Sequence, residues 1–135
     1  MPSGEPIVHQ HGLIVFAKDT QKVSAFYAAA LGLDRVESGP GHDLLAGPGC
    51  EIVVHAIPPQ YAADIAISTP PEPRSETALK PAFVVGSLES VRAAIEATGG
   101  GLKPAESAWT MRGFDVLDGW DPEGNIIQFR QPSAA

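Results

Sequence analysis

The stretch FAKDTQKVSAFYAAALGL (residues 16–33) carries the signals of a β-strand that passes into an α-helix. Asp19 and Thr20 follow a short apolar run at 11–18 and form a good helix N-cap. Gly32 then stands where a helix-ending glycine is typical. Between the two ends, apolar residues recur with the spacing of one helical face: Val23, Phe26, Tyr27, Ala30 and Leu31. The stretch therefore predicts a strand and a helix with one buried face.

The whole chain predicts two units of the same order, one in each half, and the strand and helix above begin the first. Apolar runs separated by Gly/Pro turns predict further strands, at 33–37, 42–46, 50–57, 78–85, 106–110, 112–118 and 125–130. A second helix is expected between Ser87 and the glycines at 99–101. At one constant offset Asp19 aligns with Ser87, Val23 with Val91 and Gly32 with Gly100. Both halves therefore predict the order β-α-β-β-β, which indicates an internal duplication.

Composition limits the classes of partner. The chain has 135 residues, 44% of them hydrophobic and 19% charged, which fits one folded domain at 11–131 after a loose arm at 1–10. Its net charge of −7 disfavours nucleic acid, and no apolar run is long enough for a membrane span. The single cysteine, Cys50, excludes an internal disulfide. The N-terminus shows no signal-peptide pattern, so a cytoplasmic location is expected.

Two stretches resemble the vicinal oxygen chelate superfamily, which includes glyoxalase I, bleomycin-resistance proteins and extradiol dioxygenases. The first is residues 16–33, which end in a Phe-Tyr…Leu-Gly-Leu pattern. The second is DPEGNIIQF (121–129), a turn followed by a final strand. The turn itself is expected to be structural, because Pro122 and Gly124 suit its backbone angles. The resemblance implies an α+β fold, in which two βαβββ modules (11–57 and 78–131, joined by the proline-rich connection 58–77) form one glyoxalase-like, cavity-bearing domain. It also makes a homodimer the expected assembly.

Metal-dependent members of this superfamily hold a divalent ion with four side chains. The resemblance places those positions at Gly12, Val53 or His55, Lys80 and Gln128. Glycine and valine offer no ligand and a lysine ammonium has no free lone pair, so no metal cofactor is expected. The alternative is a divalent ion on His11, His55 and Gln128, which requires a slip of one residue along the first strand.

Lys80 is the first candidate for binding a ligand. At a vacated ligand position its ammonium would attract a carboxylate, a phosphate or an enolate oxygen. The equally open alternative is an ion pair with an acidic neighbour such as Glu51, or exposure to solvent. The other candidate ligand-binding residues are aromatic or polar: His55, Trp109, Arg112, Phe114, Trp120 and Gln128.

Two classes of function fit these residues. The first is a metal-independent protein of the bleomycin-resistance type that sequesters a small aromatic or anionic molecule. The second is a glyoxalase-, epimerase- or dioxygenase-like enzyme with an atypical metal site or a lysine-based site. The missing metal ligands favour the first class, and fold alone does not decide between them.

Overall fold

A computed structural model describes residues 10–134 of the chain. Apart from Gln10, the N-terminal arm expected at 1–10 lies outside the described residues. The strands are β1 (His11–Ala17), β2 (Asp34–Gly39), β3 (His42–Gly47), β4 (Cys50–Ala56), β5 (Ala82–Val84), β6 (Gly101–Leu102), β7 (Trp109–Met111), β8 (Phe114–Trp120) and β9 (Ile126–Pro132). The helices are α1 (Thr20–Leu31), α2 (Pro59–Ala62) and α3 (Leu88–Thr98), with a 3-10 turn at Ala105–Ser107.

The strands form two sheets of related topology. Sheet I has the order β1-β4-β3-β2, and sheet II has the order β5-β9-β8-β6 with β7 also paired to β8. In each sheet, the strand that comes first along the sequence is paired in parallel with the strand that comes last. These pairs are β1 with β4 and β5 with β9. The predicted α+β class with two βαβββ-like modules is therefore confirmed.

The predicted caps of both long helices are present. The Asp19 carboxylate accepts the backbone N–H of Lys22 at 3.1 Å, and the Ser87 hydroxyl accepts that of Ser90 at 3.1 Å. Gly32 ends α1 with φ +66° and Gly99 ends α3 with φ +93°. These positive φ angles suit glycine, which has no Cβ to clash with the backbone. Local residue type thus determines where both helices begin and end.

Several element boundaries differ from the sequence-based expectation. The strand expected at 112–118 spans Phe114–Trp120, and the two-residue strand β6 was not expected. The strand expected at 78–85 spans only Ala82–Val84, after Pro81, which has no N–H to donate to a neighbouring strand. The strand expected near 106–110 is divided between the 3-10 turn and β7. The helical turn expected around Tyr61 to Ile65 forms earlier, at Pro59–Ala62, where proline suits a first helical turn.

The core lies between the helices and one face of each sheet. Helix α1 packs on β1, β3 and β4, helix α3 packs on β6 and β9, and the two helices pack on each other. The largest fully buried core side chains come from both halves: Phe26, Tyr27, Leu45, Ile52, Ile127 and Phe129. The opposite face of each sheet, called here its open face, bears no helix of its own module. Within residues 10–134, no helix has the length and apolar character that a bilayer crossing requires.

The turn at residues 121–125 joins the two modules. The Glu123 carboxylate accepts the backbone N–H groups of Lys18 at 2.8 Å and Asp19 at 2.7 Å, at the start of α1. The buried Asp121 carboxylate accepts the Tyr27 hydroxyl at 2.8 Å. Two carboxylates of the last turn therefore hold the first helix, which gives this turn a structural role.

Candidate functional site

The open face of sheet II brings together most of the candidate residues. On β9, Ile127 and Phe129 point into the core, so side-chain alternation places Gln128 and Arg130 on the open face. The residues opposite these two on β8, Asp118 and Val116, share that face. Trp109 on β7 lies opposite Val116, and Phe114 on β8 lies opposite Met111. One continuous surface thus carries both charged and aromatic side chains.

A chain of polar contacts runs across this face. The Lys80 ammonium lies 2.9 Å from a carboxylate oxygen of Asp118. The Gln128 side-chain NH₂ donates to the other Asp118 oxygen at 3.4 Å, and the Gln128 carbonyl accepts the Arg130 Nε–H at 2.7 Å. Gln128 is only 7% exposed, so its amide is held in one orientation between an acceptor and a donor. The set Lys80, Asp118, Gln128 and Arg130 is called here the polar chain.

Lys80 therefore forms an ion pair, which was one of the alternatives expected for it. Its partner is Asp118 and not Glu51, the neighbour suggested from the sequence. Sequence reasoning missed Asp118 and Arg130 as members of the site. Strand alternation was a usable signal, because residues an even number of positions apart on a strand share a face: Arg130 is two residues after Gln128, and Asp118 is four residues after Phe114. What it lacked was the register between β8 and β9, which puts Asp118 opposite Gln128.

The remaining candidates on sheet II are Trp120 and Arg112. Trp120 alternates onto the same face, where its ring covers the position at which Gly101 would carry a Cβ, about 2.1 Å from the ring. Arg112 lies in the two-residue turn between β7 and β8, with φ +51°, and is exposed. Trp120 thus fills space against β6, and Arg112 stands at the end of a hairpin.

Two candidate histidines belong to sheet I. His55 alternates onto the open face of β4, tilted against Phe16 with ring centroids 5.7 Å apart, and lies opposite His42 on β3. His11 lies on the core-facing side of β1, because it is two residues before Leu13 and four before Val15, which point into the core. The structure therefore does not bring His11 and His55 onto one face with Gln128.

The strand register identifies the positions that correspond between the modules. Ile14 pairs with Val53 in sheet I, and Ala82 pairs with Gln128 in sheet II. The offset that aligns Asp19 with Ser87 also aligns Ile14 with Ala82, so Val53 corresponds to Gln128. With this register, the positions that the resemblance assigns to the metal ligands are Gly12, Val53, Lys80 and Gln128.

This donor set does not fit a divalent ion. One amide oxygen, one ammonium, a valine and a glycine supply neither imidazole nor carboxylate at the aligned positions. Among the described residues, no three His, Cys, Asp or Glu side chains lie close enough together to hold a metal ion.

Clefts lie between the two sheets. One of about 710 Å³ is bordered by the free edges of β1 and β5. Another of about 340 Å³ has Ile14 and Phe16 of β1 on one side, and Ile65, Arg74 and Leu79 on the other. The proline-rich connection therefore lines a cleft between the modules, and the Lys18 ammonium donates to its Ile65 carbonyl.

Three pKa shifts have structural causes outside the polar chain. Burial, the Asp121 charge and the hydrogen bond to Asp121 together raise the pKa of Tyr27 well above its usual value. Burial would raise the pKa of Asp43, but hydrogen bonds from Ser24 and Ser38 and the charges of Arg35 and His42 outweigh it and lower that pKa. Burial raises the pKa of the Cys50 thiol. These shifts reflect packing of the core and of sheet I.

Comparison with known proteins finds neither a matching family model nor a matching curated protein. Solved structures do match. A glyoxalase/bleomycin resistance protein/dioxygenase family enzyme from Burkholderia phytofirmans PsJN is 18% identical, with 93% of this chain and 100% of that chain covered and a TM-score of 0.64. TnmS3, an antibiotic binding protein from Streptomyces sp. CB03234, is 20% identical, with 96% and 99% covered and a TM-score of 0.62.

The fosfomycin resistance protein FosX from Mesorhizobium loti is 9% identical, with 98% of this chain and 95% of that chain covered and a TM-score of 0.61. At such low identity the likeness concerns the fold, and in each case it extends over nearly the whole of both chains. Together with the paired βαβββ modules, it shows that this chain has the glyoxalase-like fold of the vicinal oxygen chelate superfamily.

Proposed function

We propose that the protein is a metal-independent binding protein that sequesters a small aromatic or anionic molecule on the open face of sheet II. The observation that supports this most directly is the Lys80–Asp118 ion pair, 2.9 Å long, at one of the superfamily's ligand positions. An ammonium there opposes a dication and, with Arg130 nearby, leaves the polar chain with a net positive charge. We also propose a cytoplasmic location, which the single thiol suits.

The chemistry of the face supports a binding role. Pockets for small molecules combine apolar and aromatic surface with a few fixed polar groups. Trp109, Met111 and Phe114 supply apolar surface, and Gln128 with Arg130 supplies polar groups whose orientation is held by hydrogen bonds. A structural neighbour, TnmS3, is described as an antibiotic binding protein, which is consistent with such a role on this fold.

Metal content and ligand binding test this function together. Protein purified without chelators is expected to contain well below one transition-metal ion per chain by elemental analysis. A thermal-shift screen of glycopeptides, hydroxy acids, catechols, aromatic acids and CoA esters is expected to find a stabilising ligand, because a ligand that binds only the folded state raises Tm. The shift is expected to be the same with and without EDTA. A stoichiometric bound metal would instead favour the glyoxalase-, epimerase- or dioxygenase-like enzyme.

We further propose that the protein is a homodimer. The open face of sheet II covers a ligand from one side only, whereas binding sites enclose most of a ligand's surface. Apolar side chains on the free first strands remain exposed, with Ile14 at 61%, Phe16 at 59% and Val84 at 63%. Burying such side chains against a second copy is favourable by roughly 25 cal/mol per Å². A second copy would also supply the missing wall.

The assembly is tested by sedimentation equilibrium. We expect a mass of twice the 14.1 kDa chain. Phe16→Lys is expected to shift the equilibrium toward the monomer, because it places a charge in the proposed contact. Glu106→Lys, an exposed change in the 3-10 turn, serves as the control. A wild-type protein that sediments as a monomer at all concentrations would contradict the proposal.

A further inference from the structure

One row of side chains crosses four strands of sheet II: β7, β8, β9 and β5. Trp109 lies opposite Val116, Val116 lies opposite Arg130, and Arg130 lies beside Val84. Cross-strand partners share a face, so these side chains form one continuous row on the open face. With neighbouring strands about 4.8 Å apart, the backbones of Trp109 and Arg130 are about 10 Å apart. Val116 between them is fully buried, whereas Trp109 is 39% exposed.

This row is the boundary between an apolar and a polar half of the face. On one side, Met111 and Phe114 lie opposite each other on β7 and β8, and Phe114 lies opposite Pro132. On the other side, Asp118 lies opposite Gln128. A molecule that lies along the row meets the Trp109 ring at one end and the Arg130 guanidinium at the other.

Within the polar chain, Lys80 is paired with Asp118, so Arg130 is the cation that remains to bind a negatively charged ligand. The Asp118 carboxylate is engaged by the Lys80 ammonium and the Gln128 amide. Arg130 uses its Nε–H for the neutral Gln128 carbonyl, and among the ion pairs formed by the described residues none includes Arg130. Its two terminal NH₂ groups are the donors that bind a carboxylate in a paired geometry.

We propose that the ligand is an aromatic carboxylate: its carboxylate binds the terminal NH₂ groups of Arg130, and its ring packs against the exposed part of the Trp109 side chain. This rests on the proposed binding function and specifies its ligand class. Gln128 acts as a positioning residue, because its carbonyl holds the guanidinium through Nε. Lys80 neutralises Asp118, which would otherwise repel the ligand's carboxylate.

The inference is tested with 4-nitrobenzoate and its neutral counterpart 4-nitrobenzamide, which quench tryptophan fluorescence. The chain has two tryptophans, so Trp120→Phe leaves Trp109 as the only reporter. In that background we expect saturable quenching by both probes, with the carboxylate bound about tenfold more tightly, because a charge-assisted paired contact is made only by the acid. Equal affinities, or no saturable quenching by 4-nitrobenzoate, would overturn the proposal.

Substitutions then assign the preference to Arg130. Arg130→Gln is expected to reduce the tenfold preference to about twofold or less while the amide binds as before, and Arg130→Lys is expected to retain an intermediate preference. Arg92→Gln, on α3, removes an equal charge from the helical layer and is the matched control, expected to keep the full preference. Unchanged circular dichroism and Tm verify folding of each variant. An unchanged preference in Arg130→Gln overturns this inference, whereas stoichiometric metal in the wild type overturns the proposed function.

Discussion

Asp121→Ala is expected to lower the free energy of unfolding by about 3–5 kcal/mol, because it leaves several buried donors without acceptors. The Asp121 side chain is 0% exposed and accepts four hydrogen bonds. They come from the Tyr27 hydroxyl at 2.8 Å, the Glu123 N–H at 2.9 Å, and the backbone N–H and side-chain NH₂ of Asn125 at 3.1 and 2.8 Å. Urea unfolding followed by far-UV circular dichroism measures the loss.

A double-mutant cycle separates the Tyr27 contact from the turn itself. Tyr27→Phe removes one hydrogen bond to a charged group and is expected to cost about 1.5–3 kcal/mol. The double variant Asp121→Ala/Tyr27→Phe is expected to lose less than the sum of the single variants, since both remove the same contact. Asp121→Asn keeps an acceptor and is expected to fall between wild type and alanine. A loss below about 1 kcal/mol for Asp121→Ala would contradict the structural role of the turn.

Gly100→Ala is expected to destabilise the protein by about 2–4 kcal/mol through overpacking where the two modules meet. A Cβ at residue 100 would lie 2.4 Å from the Phe26 ring and 2.4 Å from the Trp120 carbonyl oxygen. Phe26 is fully buried, and the carbonyl belongs to a strand end, so neither can move aside without displacing its neighbours. The same urea titration reports the change.

Gly86→Ala is the matched control for this substitution. A Cβ at residue 86 meets no atom within 4 Å, and the backbone there does not have a positive φ. We therefore expect a change within about 0.5 kcal/mol of wild type. Equal stabilities of the Gly100→Ala and Gly86→Ala variants would show that the close approach at residue 100 is not as tight as the structure indicates.

The fold and the site differ in how far residue type and spacing predict them. The helix caps at Asp19 and Ser87, the closing glycines and the repeat of strand and helix all follow from the sequence pattern. The pattern also places Lys80 and Gln128 on one surface, but it does not identify the carboxylate beside them. It misses the division of the expected strand near 106–110 as well, since the 3-10 turn there depends on how Pro104 and its neighbours pass between β6 and β7.

The sequence by itself determined the local elements and their duplication, because caps, helical periodicity and turn glycines depend on residues within a few positions of one another. Only the tertiary structure decided which side chains meet. Lys80 and Asp118 are in contact although they are 38 positions apart in the sequence, and Tyr27 and Asp121 are in contact although they are 94 positions apart. Such contacts depend on strand register, in which a slip of one residue moves every side chain to the opposite face.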